Sequence, residues 1–169
     1  IKSIDGGSSW KAISLAGKVD FHFLEGARSD LYGADSQSGN LMYSEDSGKS
    51  WSSLGVNTFT DIAVSPTMPG MAIAIKGSQL LVTDDAFKTT KEVKSELKFT
   101  QVEWRDSNLY ALSGTSLYKS SNLGNSWKRL NAFKRATGIL SASDQLILVT
   151  VGSDIYTSKN MGKIFRKIS

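Results

Sequence analysis

The 169-residue sequence lacks cysteine and contains a single histidine, His22. Without cysteine the chain forms no disulfide bond and no thiolate metal site, so its residues give no information about the redox state of its compartment. A metal ion bound by His22 would lack further ligands, and no glycine-rich phosphate loop precedes a helical pattern. The sequence therefore predicts no metal and no cofactor.

Long hydrophobic runs and a convincing helical period are also lacking. The longest apolar stretches, residues 71–75 and 146–151, are far too short to cross a bilayer and are typical of buried strands. The best helix candidate, residues 89–97, has no core-facing apolar stripe. We therefore expect an all-β protein without a membrane span.

Charge of one sign is not concentrated anywhere in the chain. The 20 basic and 16 acidic residues give a net charge of +4 and are spread along the sequence. Lys128, Arg129, Lys134 and Arg135 come nearest to a basic cluster, which we interpret as a solvated face. The sequence accordingly predicts no nucleic-acid partner. The start at Ile1, without an initiator Met or a signal peptide, indicates a mature or trimmed product.

One turn motif recurs about every 40 residues, at 3–10, 44–51, 83–90, 120–127 and 158–165. The best copies have the pattern Ser-x-Asp-x-Gly-x-Ser-Trp. The Asp or Asn can accept hydrogen bonds from backbone N–H groups in a tight turn, the Gly can supply a positive φ, and the Trp can pack on a sheet. We therefore predict a structural role for the following motif residues: Asp5, Trp10, Asp46, Trp51, Asp85, Asn122, Trp127 and Asn160.

Between the motifs, each unit contains four β-rich runs separated by turn residues, which predicts a four-stranded antiparallel meander. Such units at this period are the blades of a β-propeller. We expect one propeller region over residues 1–169, with a partial blade at 1–16 and blades at about 19–55, 58–95, 98–131 and 134–169.

The first repeat contains only a hairpin, so it lacks two of the four strands of a complete blade. Our preferred hypothesis is that the chain is part of a larger propeller and associates with further blades. The alternatives are a distorted small ring, or a homodimer in which the open blade edges cover each other.

The motif resembles the Asp-box, or BNR repeat, of sialidase-like β-propellers. Segments 31–33 (LYG) and 41–44 (LMYS) look most similar to secreted bacterial BNR-repeat proteins that are labelled sialidase-like or glycosyl-hydrolase-like. This resemblance implies a secreted or cell-surface location and a carbohydrate or protein ligand. Similar repeats occur in photosystem assembly factors and sortilin-type receptors, which are not glycosidases, so the resemblance implies no activity.

Candidate ligand-binding residues come from aligning the first strand of each blade, because innermost strands line the channel of a propeller. The alignment places His22, Asp61, Gln101 and Gly138 at one level. Two residues onward, on the same face, it places Leu24, Ala63, Glu103 and Leu140. We expect ligand contacts from His22, Asp61, Gln101 and Glu103, and core packing of Trp104.

Asp61 and Glu103 form the only paired-carboxylate arrangement that this alignment suggests. A sialidase needs a Tyr nucleophile, an acid and several arginines, and the sequence has neither that set nor an Arg-Ile-Pro element. The catalytic residues are therefore unknown, and we expect a noncatalytic scaffold that binds a carbohydrate or a protein. The alternative is a glycoside hydrolase of the sialidase-like type whose main catalytic residues lie on blades missing from this chain.

Overall fold

A computed structural model describes residues 1–143 and 146–168, and for Ile139 it describes the backbone only. Gln145, at the start of a predicted strand, and Ser169, at the end of the last predicted blade, lie outside the described residues. Over the described part the chain contains only strands, turns and bridges, and no helix. The helix candidate at residues 89–97 instead contains a short strand, Lys91–Val93.

The strands form four sheets, each of four antiparallel strands in chain order. Blade 1 consists of β1 (Phe21–Ala27), β2 (Asp30–Asp35), β3 (Asn40–Ser44) and β4 (Ser52–Val56). Blade 2 consists of β5 (Asp61–Val64), β6 (Ala72–Lys76), β7 (Gln79–Thr83) and β8 (Lys91–Val93). Blade 3 consists of β9 (Phe99–Arg105), β10 (Asn108–Ser113), β11 (Ser116–Ser120) and β12 (Lys128–Ala132). Blade 4 consists of β13 (Thr137–Ala142), β14 (Ile147–Val151), β15 (Asp154–Ser158) and β16 (Arg166–Lys167).

This architecture confirms the predicted fold class, all-β with β-propeller blades. The chain divides into two compact units, Ile1–Asn57 and Thr58–Ser169. The first unit contains blade 1 and an N-terminal hairpin, in which Lys2 and Lys11 exchange backbone hydrogen bonds of 2.8 and 2.9 Å. The second unit contains blades 2, 3 and 4.

The core of the second unit lies between neighbouring blades. One apolar cluster joins blade 2 to blade 3 and includes Ile73, Leu80, Phe99 and Trp104. The side chain of Trp104 is 6% exposed, which confirms its predicted place in the core. A second cluster joins blade 3 to blade 4 through the following residues: Tyr110, Leu112, Leu117, Leu140, Ile147 and Val149. The alternating apolar side chains of the strands are thus buried between the sheets, out of contact with water, and this burial stabilises the unit.

The innermost strands β5, β9 and β13 of the second unit are neighbours. Ala63 and Leu140, expected on a channel face, are only 4% exposed each. That expectation was wrong for both, because Leu140 packs within the apolar cluster between blades 3 and 4 and Ala63 within the one between blades 2 and 3.

Candidate functional site

In all five copies of the turn motif, the first hydroxyl accepts two backbone N–H groups and donates to the Asp or Asn, which accepts a further backbone N–H. The copy at 44–51 illustrates these bonds. The hydroxyl of Ser44 accepts the N–H groups of Asp46 and Gly48 and donates to the Asp46 carboxylate. That carboxylate also accepts the backbone N–H of Ser50 at 2.9 Å and its hydroxyl at 2.6 Å. The polar groups of the motif are therefore used inside the turn itself.

These hydrogen bonds favour the charged form of the motif carboxylates. The side-chain and backbone bonds from Ser9 lower the pKa of Asp5 from 3.8 to about 2. The pKa of Asp46 is lowered chiefly by the hydroxyl of Ser50, and the pKa of Asp85 chiefly by the backbone N–H of Thr89. Asn122 occupies the same position without a charge and accepts the backbone N–H of Ser126 at 3.0 Å.

The aromatic residue that ends the motif packs on the first strand of its own blade in two copies. The Trp51 ring lies 5.0 Å from that of Phe21, and the Trp127 ring lies 4.9 Å from that of Phe99. Trp10 differs from both, since its side chain is 61% exposed. The motif and the first strand are thus joined within a blade.

Two of the predicted ligand-binding residues bond to the backbone of the next blade. The Asp61 carboxylate accepts the N–H of Val102 at 2.7 Å, from β5 to β9. The Gln101 side-chain oxygen accepts the N–H of Leu140 at 3.4 Å, from β9 to β13. Asp61 and Gln101 occupy equivalent positions on β5 and β9, and each forms a hydrogen bond to the next innermost strand.

The environment of Asp61 perturbs its titration. Burial raises the pKa of Asp61 from 3.8 to about 6, and the hydrogen bonds from the N–H groups of Val102 and Ile62 oppose this rise. The charge of Glu103 is not among the causes of the shift. The perturbed pKa of Asp61 is therefore a consequence of its burial between the innermost strands.

The other two predicted ligand-binding residues are Glu103 and His22. Glu103 lies in β9 opposite Tyr110 of β10. His22 belongs to the first unit, where it is exposed on β1, whereas Asp61, Gln101 and Glu103 belong to the second. Asp61 and Gln101 are therefore held by hydrogen bonds to neighbouring strands of the second unit, whereas His22 lies in the first unit.

The first unit has a cavity of about 490 Å³ that sequence reasoning missed. Its apolar lining includes the following side chains: Ile13, Phe21, Leu24, Leu31 and Trp51. Lys2 and Arg28 also line it. Ile13 and Leu24 are 40% and 53% exposed, so apolar surface remains open to solvent.

The segment before β1 forms one wall of the cavity and is attached to the motif at 44–51. The hydroxyl of Ser14 donates to the carbonyl oxygen of Gly48, and the Trp51 indole N–H donates to the Ser14 hydroxyl at 3.1 Å. A volume of this size lies within the range of small-ligand pockets, about 300–1,000 Å³. The sequence signal that could have located the cavity is the position of Ile13 in the repeat, three residues after the first motif.

The described residues contain no cluster suited to a metal. Within 1–143 and 146–168, no group of three or more His, Cys, Asp or Glu residues could hold an ion. The same part of the chain contains no helix with the length and apolar character needed to cross a membrane.

No family model and no curated protein matches the sequence. Among solved structures, the chain is similar to YCF48 bound to a D1 peptide, with a TM-score of 0.64 and 11% identity, covering 88% of this chain and 54% of that one. It is similar to an ancestral GH74 enzyme, with a TM-score of 0.63 and 13% identity, covering 88% of this chain and 24% of that one.

A third similar structure is PorZ, a bacterial surface component of the type-IX secretion system of Porphyromonas gingivalis. Its TM-score is 0.67 at 14% identity, covering 89% of this chain and 21% of that one. These neighbours are β-propeller proteins, and at such identities the likeness extends to the fold alone. The chain spans little more than half of the YCF48 chain and less than a quarter of the other two.

Proposed function

We propose that the chain is a noncatalytic β-propeller module that binds a protein ligand. The observation behind this proposal is the bonding of Asp61 and Gln101 to the backbone N–H groups of Val102 and Leu140. Most glycoside hydrolases need two carboxylates that flank the scissile bond, with one of them free to act as a nucleophile or base. Asp61 instead has a structural partner on the next blade.

Two further observations favour a protein over a carbohydrate as the ligand. The cavity of the first unit is mainly apolar, whereas a sugar presents many hydroxyl groups that need donors and acceptors. YCF48, a neighbour in fold, is described in complex with a D1 peptide. A carbohydrate ligand is the second candidate, supported by the fold likeness to a GH74 enzyme.

We propose that the five turn motifs are Asp-box repeats. Their hydroxyl–carboxylate–backbone bonds, together with the spacing of about 40 residues, support this assignment. We also propose a secreted or cell-surface location in a bacterium, which the fold likeness to the surface component PorZ supports.

Paired assays of turnover and binding test the proposal. The purified chain is incubated with sialosides and aryl glycosides and is separately applied to peptide and glycan arrays. We expect no product and a specific peptide signal. Release of sugar or aryl alcohol that Glu103→Gln abolishes would contradict the noncatalytic role, and binding to glycans alone would contradict the protein ligand. The matched control is Glu96→Gln, an exposed change outside the innermost strands.

A further inference from the structure

The acidic residues are unevenly distributed along the chain. Residues 107–169 contain nine of the 20 basic residues but only two of the 16 acidic residues. One of these two, Asp144, lies outside the described residues, and the other, Asp154, pairs with Arg135 and Lys167. The interpretation that charge is spread along the sequence is therefore wrong for the acidic residues, and most of blades 3 and 4 is basic.

The turn motifs of the second unit differ in charge from blade to blade. The residues at the second, third and sixth motif positions are Asp84, Asp85 and Lys88 in blade 2, Ser121, Asn122 and Asn125 in blade 3, and Lys159, Asn160 and Lys163 in blade 4. Asn122 and Asn160 accept the same backbone N–H that Asp85 accepts in blade 2, so the turn keeps its hydrogen bonds without a carboxylate. The charge of the turn therefore becomes more positive from blade 2 to blade 4.

The motif turn of blade 4 lies beside lysines of blade 3. A Cβ placed on Gly162 of this turn would lie 2.9 Å from Leu130 and 3.2 Å from Leu117. Lys119 follows Leu117 by two residues on the same face of β11, and it is paired across strands with Lys128 of β12. We call the following four residues the lysine cluster: Lys119, Lys128, Lys159 and Lys163.

The lysine cluster has no acidic partner. Lys128, Lys159 and Lys163 are exposed, and the half-buried Lys119 lies 5.7 Å from the centre of the Tyr110 ring. Within residues 1–143 and 146–168, no carboxylate forms an ion pair with a member of the cluster. Because Lys119 and Lys128 are direct neighbours across strands, their like charges repel each other. The cluster therefore favours a partner with several negative charges.

The described carboxylates of blades 3 and 4 belong to other parts of the blades. Asp154 is the first residue of β15, so it lies at the opposite end of that strand from the motif turn. Glu103 is on β9, and Asp106 follows that strand in the turn to β10. The cluster instead belongs to the third and fourth strands of blade 3 and to the motif turn of blade 4.

The motif turns of blades 3 and 4 also expose aliphatic side chains. Leu123 is 37% exposed and Ile164 is 63% exposed, and we call these two residues the apolar tips. Blade 2 has Ala86 and Thr89 at the same two motif positions, and Ala86 is buried. Apolar side chains beside lysines are typical of proteins that lie on anionic bilayers, because the former enter the headgroup layer and the latter attract the lipid phosphates.

The aromatic residues do not favour a nucleic acid as the partner. Proteins that bind single strands stack the bases on exposed aromatic side chains. Within residues 98–143 and 146–168, every aromatic residue is buried or half-buried. The cluster also contains no arginine, whose planar guanidinium suits a phosphate of fixed geometry better than the point charge of lysine does. A bilayer, with many mobile phosphates, fits the lysines and the apolar tips together.

We propose that the lysine cluster and the apolar tips attach the chain to an anionic lipid bilayer. The motif turns of blades 3 and 4 lie on the headgroups, with the lysine ammonium groups near the lipid phosphates and the apolar tips in the interfacial layer. This attachment goes beyond the proposed peptide-binding function, because it uses other residues and another class of partner.

Sedimentation with lipid vesicles tests the partner. The purified chain is mixed with phosphatidylcholine vesicles that contain about 30% phosphatidylglycerol, and separately with vesicles of phosphatidylcholine alone. We expect binding only to the anionic vesicles at about 0.1 M salt, and loss of this binding at about 0.5 M salt. Equal binding to both kinds of vesicle, or binding to neither, would overturn the inference.

Lysine variants locate the site. The double variant Lys159→Gln, Lys163→Gln removes both motif lysines of blade 4. Because one lysine near an anionic surface strengthens binding about fivefold, we expect the affinity for anionic vesicles to fall about twentyfold. The matched control is Lys88→Gln, Lys91→Gln, at exposed positions of blade 2, which should bind as the unchanged chain does. An equal loss in the control would show attraction by net charge alone and overturn the site.

The variant Ile164→Ser tests the apolar tips. We expect about threefold weaker binding to anionic vesicles with an unchanged salt dependence, because the substitution removes apolar surface and no charge. The matched control is Thr89→Ser, the equivalent position of blade 2, which should leave binding unchanged. Full binding by Ile164→Ser would overturn the insertion of this residue into the interfacial layer.

Other polyanions and the array peptides separate the remaining outcomes. Tight binding of a DNA duplex or of polyglutamate that the double variant Lys159→Gln, Lys163→Gln abolishes, without vesicle binding, would overturn the bilayer as the partner. Loss of array-peptide binding in the same variant would assign the cluster to the protein ligand and overturn this inference. Vesicle binding without binding of any array peptide would support the attachment and overturn the proposed function alone.

Discussion

Asp61 and Gln101 have equivalent tasks on neighbouring strands. Each uses a side-chain oxygen to accept a backbone N–H from the next blade, Val102 for Asp61 and Leu140 for Gln101. A neutral amide suffices for the second of these bonds. The charge of Asp61 is therefore not required for the connection, and burial makes that charge unfavourable.

The first prediction concerns the substitution Asp61→Asn, which keeps an oxygen for the Val102 N–H and removes the charge. Because burial raises the pKa of Asp61 to about 6, its protonated form stabilises the fold below pH 3.8, and this contribution is lost as the pH rises to about 6. We expect Asp61→Asn to raise the free energy of unfolding at pH 8 by about 1–3 kcal/mol, with little change near pH 4.

Urea unfolding at both pH values measures this effect. Asp61→Ala is the matched control, because it removes the same charge but leaves the Val102 N–H without its acceptor, so it should be less stable than Asp61→Asn by about 1–3 kcal/mol at either pH. A loss of stability in Asp61→Asn at pH 8 would show that the charge itself stabilises the fold.

The second prediction concerns the motif carboxylate of Asp46. Hydrogen bonds lower the pKa of this group, so its contribution to stability is present above pH 3.8 and is lost as the pH falls below that value. Asn122 shows that an amide can accept the same backbone N–H. We expect Asp46→Asn to lower the melting temperature less than Asp46→Ala at pH 7, and to reduce the loss of stability on acidification.

Melting curves at pH 7 and pH 3 measure both effects. Glu45→Gln, a change at the exposed neighbouring residue, serves as the charge control. Equal melting temperatures for the Asn and Ala variants at pH 7 would contradict the role assigned to the carboxylate oxygens.

At the scale of the strand, glycine permits a close approach between an aromatic ring and β2. A Cβ placed on Gly33 would lie 2.6 Å from two ring atoms of Phe21, which stacks in turn on Trp51. Gly33 faces Leu24 on β1 and Met42 on β3, so it occupies an inner position of blade 1. The ring therefore fills the space that a side chain at position 33 would take.

The third prediction follows from this contact. We expect Gly33→Ala to destabilise the first unit by about 1–3 kcal/mol, because the added methyl group displaces the Phe21 ring. Phe21→Leu in the same chain should recover part of that loss, since it removes the colliding ring atoms. A double-mutant cycle from urea unfolding measures the coupling, and additive effects of the two changes would contradict the proposed collision.

Sequence patterns predicted the strands well where their causes are local. The turn motifs and the β-rich runs between them gave the four meanders, because turn residues and alternation act over a few residues. The burial of Ala63 and Leu140 was not predictable from alternation alone, since it depends on which blade covers the innermost strand. The sequence identified Asp61 and Gln101 as equivalent polar positions. It did not predict their backbone hydrogen-bond partners, because each partner lies about 40 residues further along the chain.

At the scale of the whole chain, the least predictable feature is the cavity of the first unit. It depends on the placement of the segment before β1, which Ser14 joins to Gly48 and Trp51 more than 30 residues later. No pattern within that segment specifies this contact.

The two units assign different tasks to similar blades. In the second unit the surface beside each motif glycine is filled by the preceding blade, and polar residues of the innermost strands connect the sheets. In the first unit the equivalent surface opens into a cavity with apolar walls and two cations. The central claim is therefore that ligand binding occurs at this cavity and that Asp61 and Gln101 serve the scaffold.

Backbone amide chemical shifts of the isotope-labelled chain, recorded by NMR while a peptide that binds the chain on the array is added, test this claim most directly. The account predicts shifts at Ser14, Leu24, Gly48 and the Trp51 indole N–H, which line or adjoin the cavity. It predicts no comparable shifts at Val102 and Leu140, whose N–H groups bond to Asp61 and Gln101. Shifts confined to these last two amides and their strands would contradict it.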